Sequence, residues 1–188
     1  GSFTVSLWVQ TTQVSGTESD SGLFGNAGLV AAFTGPGGNW VVPMAITGDK
    51  LAFATGGSPQ NTLHSSVAIT NASEFVHVVV SRNHLTGEKR IYINGQLDVS
   101  TLGTTERLDT PTSWDIGYNN GTGLHGAMDE IQFYEGVLPP ESVAFLYHHP
   151  GSVVPDVIGG GNDELADAVD APQFVWTTGG GADWFRQT

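Results

Sequence analysis

"EFVHVVVSRNHLTGEKRIYINGQLDVS", residues 74–100, decides the fold class. Two apolar runs, "EFVHVVVSR" and "KRIYINGQLDVS", are joined by the turn-forming "NHLTGE". The second run holds a hairpin of its own. Asn94-Gly95 is the pair that a two-residue type I′ turn requires, because both central residues take positive φ and few other residues do so without strain. The spacing predicts that Ile91 to Ile93 pair with Gln96 to Val99. Antiparallel pairing of neighbours in sequence is therefore the local rule of this chain.

The same pattern extends in both directions. In "FTVSLWVQ", Phe3, Val5, Leu7 and Val9 alternate with Thr4, Ser6, Trp8 and Gln10, the period-two signature of a strand with one face on a core. A polar loop, "TTQVSGTESDSG", precedes "LFGNAGLVAAFT"; the turn "GPGG" then leads into "NWVVPMAIT". "GDK" is a tight turn before "LAFAT", and "GGSPQNTLHSS" reads as a loop. Downstream come "SWDIGY", a loop "NNGTGLHG", and a long strand "AMDEIQFYE". In "LPPESVAFLYHH" the prolines fit only a first helical turn, Glu141 lies early and histidines close the segment, so one short helix is predicted near 139–149. Beyond Pro150 a linker with an acidic stretch around Glu164 to Val169 leads to "FVWTTGGGADWFRQT". Residues 1–150 are expected to form one domain. Residues 151–188 are expected to be a linker and the truncated start of a following module, or a tail that folds back onto the first domain's free sheet edge.

Composition narrows the function classes. The chain has 188 residues, 26 glycines, six Lys plus Arg and a formal net charge of −13. Such acidity disfavours nucleic acid or an anionic membrane as partner, since no basic stripe is available to neutralise phosphates. Cysteine is absent, which removes disulfide frameworks and thiolate chemistry. Neither a signal peptide nor a membrane-spanning apolar run is recognisable. The opening "GSFTVSLWVQ" starts in mid-pattern, so the chain is expected to be a piece of a longer protein, with Gly1-Ser2 as a cloning remnant.

Taken in order, "FTVSLWVQT", "FVHVVVSRNHLTGEKRIYINGQL" and "IGYNNGTGLHGAMDEIQFYEGVLPPESVAFLY" resemble the successive blocks of laminin-G-like, concanavalin A-like jelly-roll domains. The likeness covers roughly residues 3–148 and rests on order and spacing together. It implies an all-β fold, a two-sheet antiparallel jelly-roll sandwich, within a secreted or surface bacterial protein. It also implies carbohydrate binding, other modules in the same chain, and in many members a structural calcium. The family's opening strand upstream of "FTVSLW" is missing from this chain.

Each candidate residue has a competing structural explanation. Adjacent strand residues point to opposite faces, so Asp129 and Glu130 are not expected to line one site. Alternation puts Asp129 with Ile131 and Phe133, toward the apolar side, and leaves Glu130 facing solvent. A carboxylate there needs a partner. The resemblance offers calcium, held by Asp129 with backbone oxygens; the alternative is an Asp accepting backbone N–H groups at a sheet margin.

Catalysis finds little support. Glycosidases need paired carboxylates, but Glu18 and Asp20 lie in a polar loop, Asp167 and Asp170 in the tail, and no Glu-x-Asp-x-x-Glu appears. His77 alternates with Phe75 and Val79 and reads as a hydrogen-bonded structural histidine. His64 and His125 fall in loops, where a ligand could reach them. Sugar recognition uses aromatic platforms with amide and carboxylate groups beside them. The candidates are Trp40, after the glycine-rich loop, and Trp114, Asp115, Tyr118, Asn119, Asn120 and His125 around "NNGTGLHG". Against binding stand core packing for Trp114 and turn formation for Asp115, Asn119 and Asn120. The expected function is a non-catalytic, lectin-like module for a polysaccharide or glycan; the alternatives are a structural or adhesion module without a sugar ligand, and a glycan-active enzyme.

Overall fold

The computed structural model describes residues 1–16, 23, 25–33, 41–55, 62–154 and 175–176. Hairpins build it, as the central stretch requires. Asn94 (φ 50°) and Gly95 (φ 78°) form the two-residue turn between β7 (Glu88–Ile93) and β8 (Gln96–Leu102). Ile93 faces Gln96 and Tyr92 faces Leu97, with a bulge before Ile91 and Val99. A Cβ at Gly95 would lie 2.8 Å from Tyr147 Cβ, so glycine serves both the turn and the packing above it. "GDK" is the turn between β3 (Val41–Thr47) and β4 (Lys50–Thr55), with Gly48 at φ 59°.

Two antiparallel sheets result. One has β1 (Phe3–Thr11) between β12 (Gly126–Glu135) and β6 (Asn71–Arg82), with β7 and β8 beyond β6. A two-residue strand β13 (Val175–Trp176) pairs with β12 on its outer side. The other runs β5 (Thr62–Ala68), β4, β3, β2 (Gly28–Phe33), β9 (Ser113–Ile116). β5 shows that part of "GGSPQNTLHSS" is strand rather than loop, with His64 opposite Ala52. The short strands β10 (Tyr118–Asn119) and β11 (Thr122–Gly123) form a hairpin of their own.

The core fills the space between the sheets. Val5, Leu7 and Val9 meet Leu29, Met44, Ile46, Leu51 and Phe53 across it, with Val76, Val78, Val80 and Ile91 completing the larger sheet's inner face. The opposite face of that sheet is covered too. Helix α1 (Pro140–His148) packs Val143 and Leu146 against Val79, Tyr92 and Tyr134, and Val154 joins them. Burying a Leu or Val side chain contributes about 1.5–3 kcal/mol, enough to seat a nine-residue helix that would be marginal alone. Pro139 sits at the N-cap and Pro140 opens the first turn, as the sequence predicts.

One expectation needs correcting. Between the pairs Ser6–Gln132 and Trp8–Asp129, the two residues Glu130 and Ile131 oppose Leu7 alone, and Glu130 has φ 54°. This bulge resets the alternation. Met128, Ile131 and Phe133 all pack on the core, while Asp129 stands beside Trp8 on the helix-covered side. Glu130 is not simply solvent-facing: its Oε2 is buried beneath the end of α1.

Candidate functional site

Two places collect chemistry-bearing side chains. Under α1, a crevice is lined by Ser6, Trp8, His77, Glu130, Gln132 and Leu146, and closed by Pro150 to Ser152. Ser6 Oγ lies 2.9 Å from His77 Nε2, a spacing that a nucleophile and its base also show. The rest of the arrangement is structural. His77 Nδ1 is buried without a hydrogen-bond partner, so no acid orients the ring. Burial pushes the imidazole down to about 4, which keeps it neutral. The crevice has no room for a water-sized guest. Trp8 stacks on Tyr147 at 5.7 Å and meets the His77 ring at a tilt at 5.0 Å. His77 is the hydrogen-bonded structural histidine that its alternation suggests.

Glu130 belongs to this crevice. Burial raises its carboxyl above the usual range, the Gly151 N–H opposes that shift, and the Asp129 charge adds to it. Asp129 Oδ1 accepts the Glu130 N–H at 2.9 Å. Among the described residues no group of three or more His, Cys, Asp or Glu converges to hold a metal. The bulge places Asp129 beside Trp8, on the side of β12 away from the core.

The second place is the rim that follows β9. Gly117 donates to the Leu29 carbonyl at 2.9 Å, and the chain then turns into the β10–β11 hairpin with Asn120 (φ 42°) and Gly121 (φ 104°) at its tip. Gly28 lets this hairpin approach: a Cβ there would lie 2.4 Å from the Tyr118 carbonyl oxygen. Gln13 secures the far side, donating to the Gly123 carbonyl at 3.1 Å and accepting the His125 N–H at 2.6 Å. Thr11 Oγ1 donates to the His125 carbonyl at 2.7 Å. Gln13 sits in the stretch read as a polar loop, and nothing in its local pattern singles it out.

The rim presents some of the sequence candidates and withdraws others. Tyr118 is 45% exposed, and Asn120 and His125 are exposed beside it. Trp114 is 46% exposed and shares its side of β9 with the core residue Ile116; its ring meets Phe133 edge-on at 5.1 Å. It is half packed and half presented. Asp115 is half-buried on the opposite side, next to Ala31, so Trp114 and Asp115 do not converge. Asn119 is a correction. It is fully buried and donates to the Leu23 carbonyl at 2.7 Å, which makes it an anchor of the hairpin and not a surface contact. His64 Nε2 is likewise shielded within β5. Trp40, Glu18, Asp20, Asp167 and Asp170 lie outside the described residues.

Two facing antiparallel sheets, hairpin-connected and closed by one short helix, define a concanavalin A-like jelly-roll sandwich. A family model described as the concanavalin A-like lectin/glucanases superfamily matches residues 1–144, and the chain belongs to that family, Laminin_G_3. No curated protein matches the sequence. Among solved structures the chain is similar to domain 4 of an extracellular arabinanase from Geobacillus stearothermophilus, in complex with arabinotriose. Identity there is 24% and the TM-score 0.55, over 77% of this chain and 66% of that one. It is also similar to a heptameric pentraxin from Limulus polyphemus (12% identity, TM-score 0.61, 94% and 80% of the two chains). A third is the carbohydrate-binding module of a Ruminococcus gnavus sialidase bound to α2,3-sialyllactose (16%, TM-score 0.56, 78% and 82%). At these identities the likeness is one of fold.

Proposed function

We propose that this domain is a non-catalytic carbohydrate-binding module. One observation carries the reading. The large aromatics exposed among the described residues are Phe75, Trp114 and Tyr118, and the last two lie four positions apart in sequence, Trp114 in β9 and Tyr118 in the hairpin that follows it. Aromatic faces held rigid at a surface suit the apolar side of a sugar ring, and the Tyr118 hydroxyl and Asn120 amide suit its hydroxyls. The sugar-bound arabinanase domain and sialidase module, similar in fold, support the same direction. The closed crevice at Ser6 and His77 argues against a hydrolytic centre there. An extracellular or bacterial cell-surface setting, beside other modules of a longer chain, belongs to the same proposal; no described helix is long and apolar enough to cross a membrane.

The test is a glycan array followed by titration calorimetry. With few hydrogen bonds on a shallow rim, dissociation constants on the order of micromolar to millimolar are expected. Tyr118→Ala should weaken binding about tenfold or more without changing the melting temperature. Trp114→Ala should weaken binding and also lower stability, through the lost Phe133 contact. Binding unaffected by both variants would place the site elsewhere. Absence of binding to any glycan would favour an adhesion or spacer role. A structural calcium held by Asp129 with backbone oxygens belongs to the same proposal: a chelator should then lower the melting temperature, because a cation that binds the native state stabilises it by mass action. An unchanged melting curve would count against that site.

A further inference from the structure

Resting on the carbohydrate reading above, we infer that the glycan taken at this rim is uncharged, and that sialylated, uronic-acid and sulfated sugars are rejected there. The chain has six Lys and Arg, and the five in the described residues are Lys50, Arg82, Lys89, Arg90 and Arg107. Arg82 is buried, its guanidinium donating to the carbonyls of Gly1, Thr104 and Glu106. Lys89, its partner across β6 and β7, is buried with Nζ 5.7 Å from the Phe53 ring centroid. Arg90 holds Glu88 through Nε at 2.9 Å and Nη2 at 2.7 Å. Arg107 acts on the Gly1 amine, and so belongs to the same end of the sandwich.

That end is the wrong one for the rim. Phe3 of β1 pairs with Arg82, whereas Thr11 at the other end of β1 pairs with Gly126 and holds His125. Eight strand steps separate them, about 26 Å. This is roughly three Debye lengths at physiological salt. Lys50 is nearer, but it is not free, and it lies three strands from β9, about 14 Å. Asp115 is the charged residue of β9 itself. The segments outside the described residues contribute Glu18, Asp20, Asp156, Asp163, Glu164, Asp167, Asp170 and Asp183 against the single cation Arg186. An anionic sugar would therefore meet a negative protein with no guanidinium or ammonium at the rim among the described residues, and charge complementarity is what normally admits such ligands. Hydroxyl-rich neutral sugars meet no such penalty.

The experiment is binding of the full chain to an array of neutral and acidic glycans that includes pairs differing only in charge. Lactose with 3′-sialyllactose is one pair, and methyl-esterified with free polygalacturonate is another. The neutral member is expected to bind about tenfold or more tightly than its acidic partner at physiological salt. That ratio should shrink in about 1 M salt, and shrink again in Asp115→Lys. Equal or tighter binding of acidic members would overturn the inference while leaving the carbohydrate reading in place. A ratio insensitive to both salt and Asp115→Lys would overturn its electrostatic cause. No binding to any glycan would overturn the carbohydrate reading and this inference with it.

Discussion

His77 is held by Ser6 at Nε2 and by Asn94, whose Oδ1 accepts the His77 backbone N–H at 3.0 Å. Its ring packs against both Trp8 and Tyr147, and its folded titration point near 4 has a thermodynamic consequence. An unfolded histidine titrates near 6.5, so between about pH 6.5 and pH 4 the unfolded chain binds one proton more than the folded one. Stability therefore falls as pH drops through that window, by about 3 kcal/mol over its full width. Glu130 has the opposite sign, because a raised carboxyl pKa lets the folded state gain from protonation near its own titration. The melting temperature of the native chain should fall between pH 7 and pH 5. His77→Gln, which keeps a hydrogen-bonding group beside Ser6, should flatten that slope. Equal slopes in the two proteins would show that His77 is not the acid-sensitive group. A strand histidine flanked by Phe75 and Val79 was legible as structural. Its pairing with Ser6 was not, because the two are 71 positions apart.

Elements were legible where their local signals agreed. Asn94-Gly95 fixed the β7–β8 turn, and Pro139, Pro140 and Glu141 placed α1. Asn120-Gly121 carries the same hairpin signature, yet its flanking strands have two residues each, too few to show alternation, so the stretch read as a loop. The bulge in β12 was hidden for a different reason. Left-handed φ usually announces itself through glycine or asparagine, and here the residue is Glu130. The mismatch makes a prediction. A side chain in that region costs about 1–2 kcal/mol, while glycine returns about 0.5–1 kcal/mol of that as backbone entropy. Glu130→Gly also removes a buried carboxylate oxygen without a hydrogen-bond partner. The substitution should thus raise the denaturation midpoint, with a net gain of about 1 kcal/mol. A loss of stability would mean that the Gly151 contact outweighs the strain, and that Glu130 fastens the chain beyond α1.

At the scale of the molecule, the residues showed an all-β chain of antiparallel hairpins, the two-sheet architecture came from the resemblance to concanavalin A-like domains, and the layering went further than alternation could reveal. The face of β1 carrying Thr4, Ser6 and Trp8 read as the polar side of a half-exposed strand, and it is covered by α1. Residue type pointed to the rim, since Tyr118 and Asn120 are there; only coordinates could separate Asn119, which is spent on the Leu23 carbonyl. Charge is the property that sequence determines most fully at this scale. With a net charge of −13, and with Arg82 and Lys89 buried at one end, the folded chain concentrates repulsion that the expanded chain would dilute. Raising NaCl from about 0.01 M to about 0.15 M shortens the screening length from about 30 Å to about 8 Å. It should therefore increase the melting temperature by a few degrees, about what 1 kcal/mol gives in a domain of this size. The same increment should vanish near the sequence pI of about 4.5, where there is little net charge left to screen. A melting temperature that drops with salt at pH 7 would mean that attractive pairs such as Arg90–Glu88 outweigh the repulsion, and the field invoked against acidic sugars would lose its basis as well.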